Sequence, residues 1–443
     1  MGAREIVHKN FILPFAAENR NNIGTELEFP LVRLDKKPVE KAEALGLLEH
    51  MLCYGFRVEE CDTEGKPAFI LNSDGDCLSF DNSYNNFEFS MEKGESLLAQ
   101  KQRFDLLFGE VQNYLLPRGY LLCGMGTHPY YPYLDKAPVS FPVYNVIRKF
   151  LGQFRGNAYH GMEDFPAYLS SVQTHLDVPL SLLPRALTLF AAMDFIRALL
   201  FSNSPALEGL NGFEETVCFR DYLWEKSGFG SLNANVGKVE SVFSDESDLE
   251  NLILNRSMFY RERKGLCELI PPVTVNEYFE LADSCEEDIR YYLSFQNVEI
   301  TRRGTLEIRS DCQQPIGEGF CPPAFHLGIL QKLAEAEDIV YEFFRRSLPK
   351  ELAEHPHRNR ILRDEIIYHY HMPAAEDEMR SLLCGLVDLA HRGLSERGKG
   401  EEVLTLPLFE RAERLTCPAR EQLRLKERGM SRENIVKQYA GNL

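Results

Sequence analysis

The chain has 443 residues, 44% of them hydrophobic, and a formal net charge of −18. That is enough apolar material for one large domain or two ordinary ones, and too much negative charge for a protein that wraps nucleic acid. No run approaches the ~20 apolar residues that span a bilayer, and the opening MGAREIVHKN lacks the order of a secretory leader, so a cytoplasmic protein with no membrane partner is expected.

The 11 cysteines are scattered without a C-x-x-C pair, which removes the usual structural zinc pattern and favours reduced thiols. In chain order, Gly24–Arg33 alternates Thr25, Leu27 and Phe29 against Glu26 and Glu28; a period of two predicts a strand with one apolar face. Residues 41–53 carry apolar positions at helical spacing. Ala68–Leu71 and Cys77–Phe80 read as short strands around the turn residues Asn72-Ser73-Asp74-Gly75, and Phe87–Ser90 as another. Ser96 is placed to cap a helix running to about Leu116. Tyr120–Met125 reads as a strand, followed by a Pro- and Tyr-rich loop, Pro129–Pro142.

Ser171–Val178 alternates again, now with Gln173 and His175 on the polar side. Pro184 predicts the start of a long apolar helix to Phe201. Val298–Ser310 reads as a hairpin or bent strand around Gly304. From Pro323 the pattern is helical, over 324–347, 361–371, 376–393, 418–428 and a last helix capped by Ser431, with Gly393–Glu402 as an exposed loop. The expected division is an α+β domain over 1–322 and a helical section over 323–443 packed on it.

The informative feature is where the acids sit. Glu26 and Glu28 are two apart on one strand, so both project from one face. Asp81 and Glu88 flank a turn and a strand, and Glu307 and Arg309 repeat the two-residue spacing. Several carboxylates gathered on one sheet face repel one another unless cations lie between them. Magnesium, with one or two carboxylates per ion and phosphate oxygens completing its shell, suits such a set.

These segments resemble the glutamate–cysteine ligase family, in the branch that holds the plant enzymes and related bacterial γ-glutamyl ligases. Gly24-Thr25-Glu26-Leu27-Glu28 is similar to its G-x-E-x-E strand, and Asn86-Phe87-Glu88-Phe89-Ser90 to its G-Q-F-E-L-S segment, with Asp81 upstream. Gly124-Met125-Gly126 and Tyr144-Asn145-Val146-Ile147-Arg148 follow in order. Val172–Asp177 resembles Q-V-N-L-D. Ser202-Asn203-Ser204-Pro205, Gly209, Asn211-Gly212, Arg220 and Trp224 resemble the A-N-S-P run, and Thr305–Arg309 with Asp311 the Y-L-E-x-R-x-x-D signature.

The resemblance implies a glutamine-synthetase-like funnel of curved, mostly antiparallel sheet. It also implies a reaction, in which ATP phosphorylates the γ-carboxylate of glutamate and the amine of cysteine, or another amine, displaces phosphate; the alternative is an inactive relative that only binds nucleotide. Two or three magnesium ions, with manganese as a substitute, would be shared by Glu26, Glu28, Asp81, Glu88, Gln173 and Glu307. Gln173, His175 and Arg309 would face ATP. Arg309, Arg220 and His175 would act at the transferring phosphate, and Tyr144, Arg148 and Arg220 would contact substrate. A monomer or homodimer is expected. The chain departs from the family where the basic P-K-G-R-Y loop reads Val139-Ser140-Phe141-Pro142-Val143-Tyr144, where asparagine is replaced by His175, and around Trp224.

Other features fit structural roles. The pairs His355/His357 and His369/His371 face different directions on a helix, and Gly124-Met125-Gly126 lacks the third glycine and following helix of a nucleotide loop. Arg261 falls in a family-like segment without an assigned role, and Cys77 is the cysteine placed closest in sequence to Asp81.

Overall fold

A computed structural model describes residues 2–17, 21–154, 159–206 and 212–441; Gly209 and Asn211 of the motif run lie outside the described residues. The strands are β1 (Ile23–Arg33), β2 (Arg57–Cys61), β3 (Pro67–Leu71), β4 (Cys77–Phe80), β5 (Asn86–Gly94), β6 (Tyr120–Leu122), β7 (Ser171–Leu176), β8 (Val236–Gly237), β9 (Ser257–Arg263), β10 (Leu266–Thr274), β11 (Phe295–Gln296), β12 (Val298–Ile300) and β13 (Leu306–Cys312). Nine of them form one sheet in the order β12-β13-β7-β1-β5-β4-β3-β2, with β6 beside the far end of β1. Every pairing in that sheet is antiparallel.

The eleven residues of β1 organise the sheet. One edge pairs with β5, setting Leu27 opposite Phe89 and Phe29 opposite Phe87. The other edge is shared, with residues 23–27 bonded to β7 and 31–33 to β6. The apolar phase of β1 and β5 packs on the helix Leu97–Leu115, where Phe104 stacks on Phe29 at 5.9 Å and meets Phe89 edge-on at 5.1 Å. That helix starts as expected, with Ser96 accepting from the Ala99 amide.

From Cys321 the regular elements among the described residues are all helices. Cys321–Gln331 packs on β7 and β1 and crosses Glu376–Arg397. The crossing is close because both helices carry glycine there: a Cβ on Gly328 would lie 2.2 Å from the Ala390 carbonyl oxygen, and one on Gly393 2.4 Å from that of Gly328. Among the described residues no helix is long and apolar enough to cross a membrane.

Several elements differ from the sequence expectation. The helix from Pro184 is two helices, Leu183–Ala192 and Asp194–Phe201, meeting at Met193; the joint coincides with Asp194, whose buried carboxylate binds Arg197, Arg363 and Asn297. The stretch 324–347 is broken at Lys332. Gly393–Glu402 is not an exposed loop. The helix runs on to Arg397, and Glu401 is fully buried, accepting from the Leu97 amide at 2.7 Å. The strand expected at Tyr120–Met125 ends at Leu122, since Gly124 turns to donate to the Tyr439 carbonyl. The β9–β10 hairpin carries too little alternation to have been expected.

Candidate active site

The register brings the strand acids together. Glu28 stands opposite Glu88, Glu26 between Ser90 and Gln173, and His175 between Gly24 and Glu307, which in turn faces Glu299. Direct antiparallel partners share a face, so four strands, β1, β5, β7 and β13, project their polar phase to one side. The β12–β13 turn that ends this array needs Gly304: its φ is +73°, and a Cβ would lie 2.6 Å from the Pro14 carbonyl oxygen.

Glu28 is the most constrained acid. It accepts from the Ser171 amide (2.7 Å), the Ser171 hydroxyl (3.0 Å) and Gln173 Nε2 (2.7 Å). Gln173 is thereby oriented with its Oε1 buried and without a partner among the described residues. Glu26 Oε1 lies 3.2 Å from His175 Nε2, and His175 Nδ1 is 3.1 Å from Thr305 Oγ1. Ligand atoms of Glu26, His175 and Glu307 lie within 4.8 Å of one another. Asp81 receives the Tyr144 hydroxyl at 3.2 Å and precedes Asn82, whose φ of +58° turns the chain sharply into β5.

Two cavities meet at this face. The outer one, about 550 Å³, is lined by Gly24, Glu26, Cys77, Glu88, His175 and Arg303 among others. The inner one, about 240 Å³, holds Glu26, Glu28, Asp81, Glu88, Tyr144, Gln173, Arg220 and Arg309. Glu26 and Glu88 form the shared wall.

Burial and mutual repulsion set the charges. Burial and then Asp81 push Glu28 up to about 7. Glu88 is raised well above the carboxylate range by burial and by Glu26, Asp81 and Glu28, and Asp81 is raised first by burial. Burial also acts on Glu26, but His175, Arg303 and Arg309 outweigh it and hold the carboxyl at about 2. Burial opposes charge on His175, yet Glu307 and Glu26 raise it above its ordinary value. Buried like charges on this scale are relieved by cations. The carboxylates and the free Gln173 oxygen are hard oxygen donors that suit magnesium or manganese, so these residues fit such ions.

The arginines differ in state. Arg309 Nη1 donates to Glu307 Oε1 at 2.5 Å, and its guanidinium lies over Phe295. Arg220 is 7% exposed, and its Nε has no partner among the described residues; Trp224 Nε1 is likewise unpartnered. Arg148 is not brought to the cluster: it pairs with Asp164 at 2.7 Å and lines a separate surface cavity. Arg261 pairs with Glu268 and Asp283 at the surface. His355 and His357 are exposed beside each other, and His371 pairs with Glu365. Burial, with Glu88 and Glu26, pushes the Cys77 thiol up to about 12, so it stays protonated in the outer cavity. Glu299, pushed to about 7 by burial and Glu307, was missed, although it occupies the polar phase of Val298-Glu299-Ile300.

The sequence model of glutamate-cysteine ligase family 2 matches residues 22–441. The chain belongs to this family. The match runs beyond the strand motifs and through the helical section. No curated protein matches the chain. Among solved structures, the chain is similar to a bifunctional glutathione synthetase from Pasteurella multocida, with 13% identity and a TM-score of 0.56 over 99% of this chain and 54% of that one. It therefore spans about half the length of that relative, and the likeness is one of fold. A glutamate–cysteine ligase from Francisella tularensis, solved in complex with AMP, aligns over 96% of this chain and 98% of its own, with 12% identity and a TM-score of 0.41.

Proposed function

We propose that the chain is an ATP-dependent carboxylate–amine ligase that activates the γ-carboxylate of glutamate as an acyl phosphate and joins it to cysteine or another amine. The observation that carries this reading is the convergence of Glu26, Glu28, Glu88, Glu307 and His175 from four strands on one face, where two cavities share an acidic wall. Family membership supports it independently.

Glu26 and Glu307 would hold one divalent ion beside His175, and Glu28, Asp81 and Glu88 with the free Gln173 oxygen would share the others. Magnesium, or manganese in its place, supplies charge neutralisation on phosphate oxygens when bound there. The outer cavity has the volume of a nucleotide site, and the inner one takes the acid and the amine. Arg309, aimed at the shared wall, stabilises charge on the transferring phosphate. Arg220 and Trp224 hold a substrate carboxylate with N–H donors, and Tyr144 keeps Asp81 oriented. The imidazole of His175 is held by Thr305 and faces the phosphates.

We read the sheet as the funnel of the glutamine-synthetase-like fold, residues 1–322 as the catalytic domain with 323–443 as its helical cover, and the protein as cytoplasmic, monomeric or homodimeric. The test is hydroxamate formation from glutamate, ATP and hydroxylamine, a small nucleophile that captures an acyl phosphate. Hydroxamate and ADP should appear together, vanish in excess chelator and return with magnesium. Activity that persists in excess chelator overturns the reading.

A further inference from the structure

We propose that the amine acceptor is a primary amine with an apolar body and no carboxylate of its own. The inference rests on the ligase reading and narrows it. It follows from counting charges in the inner cavity. Among the described residues that line it, the cations are Arg220 and Arg309. Arg309 is committed to Glu307. Arg220 is free at Nε and buried, and Trp224, one helical turn on along Phe219–Glu225, adds a second free N–H. Together they make one carboxylate position.

Glutamate brings one carboxylate besides the one it activates, and that group takes the Arg220 position. A second carboxylate, on the acceptor, would have no side-chain cation left to pair with, and the divalent ions on Glu28, Asp81 and Glu88 would be taken up by phosphate oxygens. That carboxylate would instead lie against a wall built from Val143, Ile147, Leu169 and Leu293. An unpaired carboxylate buried there is strongly disfavoured. An amine without one avoids that cost, and the apolar wall covers its carbon body. Val143 and Ile147 lie four apart on the helix Pro142–Leu151, so one helix face supplies much of that wall.

In the transfer step the neutral amine nitrogen attacks the acyl carbon. The C–N bond forms and the carbon–oxygen bond to phosphate breaks. Phosphate leaves with the electron pair and carries away the proton lost by nitrogen.

The experiment compares acceptors that differ only by a carboxylate: cysteamine with cysteine, 3-methylbutylamine with leucine, and phenethylamine with phenylalanine. Glutamate, ATP and magnesium are held fixed, and the amide product and released phosphate are measured. In each pair kcat/KM should favour the amine by about tenfold or more. Val143→Arg, which returns a cation to the wall, should narrow that ratio. Hydroxylamine serves as the control, because its capture needs no acceptor recognition. Hydroxamate formation with cysteine or another amino acid equal to or better than its amine overturns the inference and leaves the ligase reading standing. Neither hydroxamate nor amide overturns both. An unchanged ratio in a folded, hydroxamate-forming Val143→Arg variant also counts against the inference; if that variant does not fold, the wild-type pairs decide it.

Discussion

Arg363 grips Asp221 through two hydrogen bonds, Nε to Oδ2 at 2.7 Å and Nη2 to Oδ1 at 3.1 Å, with both side chains enclosed. Asp221 is the neighbour of Arg220, so a helix near the C-terminus sets the position of a residue in the inner cavity. Arg363 also binds Asp194, which receives Arg197. Arg363→Ala should leave two buried acids short of charge and destabilise the fold by about 3–5 kcal/mol. Urea unfolding measures this. A loss under about 1 kcal/mol would show that Lys238, 3.4 Å from Asp221, compensates.

Glu26 and Glu88 stand on one wall in opposite electrostatic states. Glu26 is stabilised as an anion by His175, and Glu88 is repelled by its neighbours. Glu26→Gln and Glu88→Gln should each reduce metal-dependent turnover by about a hundredfold or more. In chelator, however, Glu26→Gln should lower the melting temperature and Glu88→Gln should raise it. Thermal scans without metal separate the two, and shifts of the same sign would contradict the charge assignment.

Arg309→Lys keeps a cation but loses the planar fork. Arg309 is ion-paired with Glu307 and still lines the inner cavity. The variant should melt near the native temperature while turnover drops by about a hundredfold, in kcat more than in the KM for ATP. Normal turnover would leave Arg309 with its ion pair alone.

His128 gives a pH dependence remote from the strand acids. It is buried with Nε2 2.9 Å from the Leu31 carbonyl oxygen, and burial lowers its pKa to about 4. Above pH ~6.5 folded and unfolded chains are both neutral at this residue. Between ~6.5 and ~4 the unfolded chain takes up a proton that the folded one refuses, so stability falls as pH falls, by about 3 kcal/mol in all. Unfolding free energies across that window should be flatter in His128→Asn. An equal slope in the variant would assign the acid sensitivity elsewhere.

Alternation of side chains is a local property, and it was legible. The sequence by itself determined that Glu26, Glu28, Gln173, His175 and Glu307 lie on the polar phases of strands, because a period of two needs only neighbouring residues. Ser96 and Ser431 as helix caps were legible for the same reason. Only the tertiary structure decided that Glu28 faces Glu88 and that His175 stands between Glu26 and Glu307, because register depends on partners far away in the sequence, 60 residues in the first case and more than a hundred in the second. Arg148 looked like a companion of Tyr144, yet Asp164 holds it outside the cavity, and no spacing reveals which acid an arginine will meet. The helix break at Asp194 and the burial of Glu401 escaped the sequence likewise. Each depends on a charge or hydrogen-bond partner that arrives from a distant element, and removing those groups from water is tolerable only where that partner arrives.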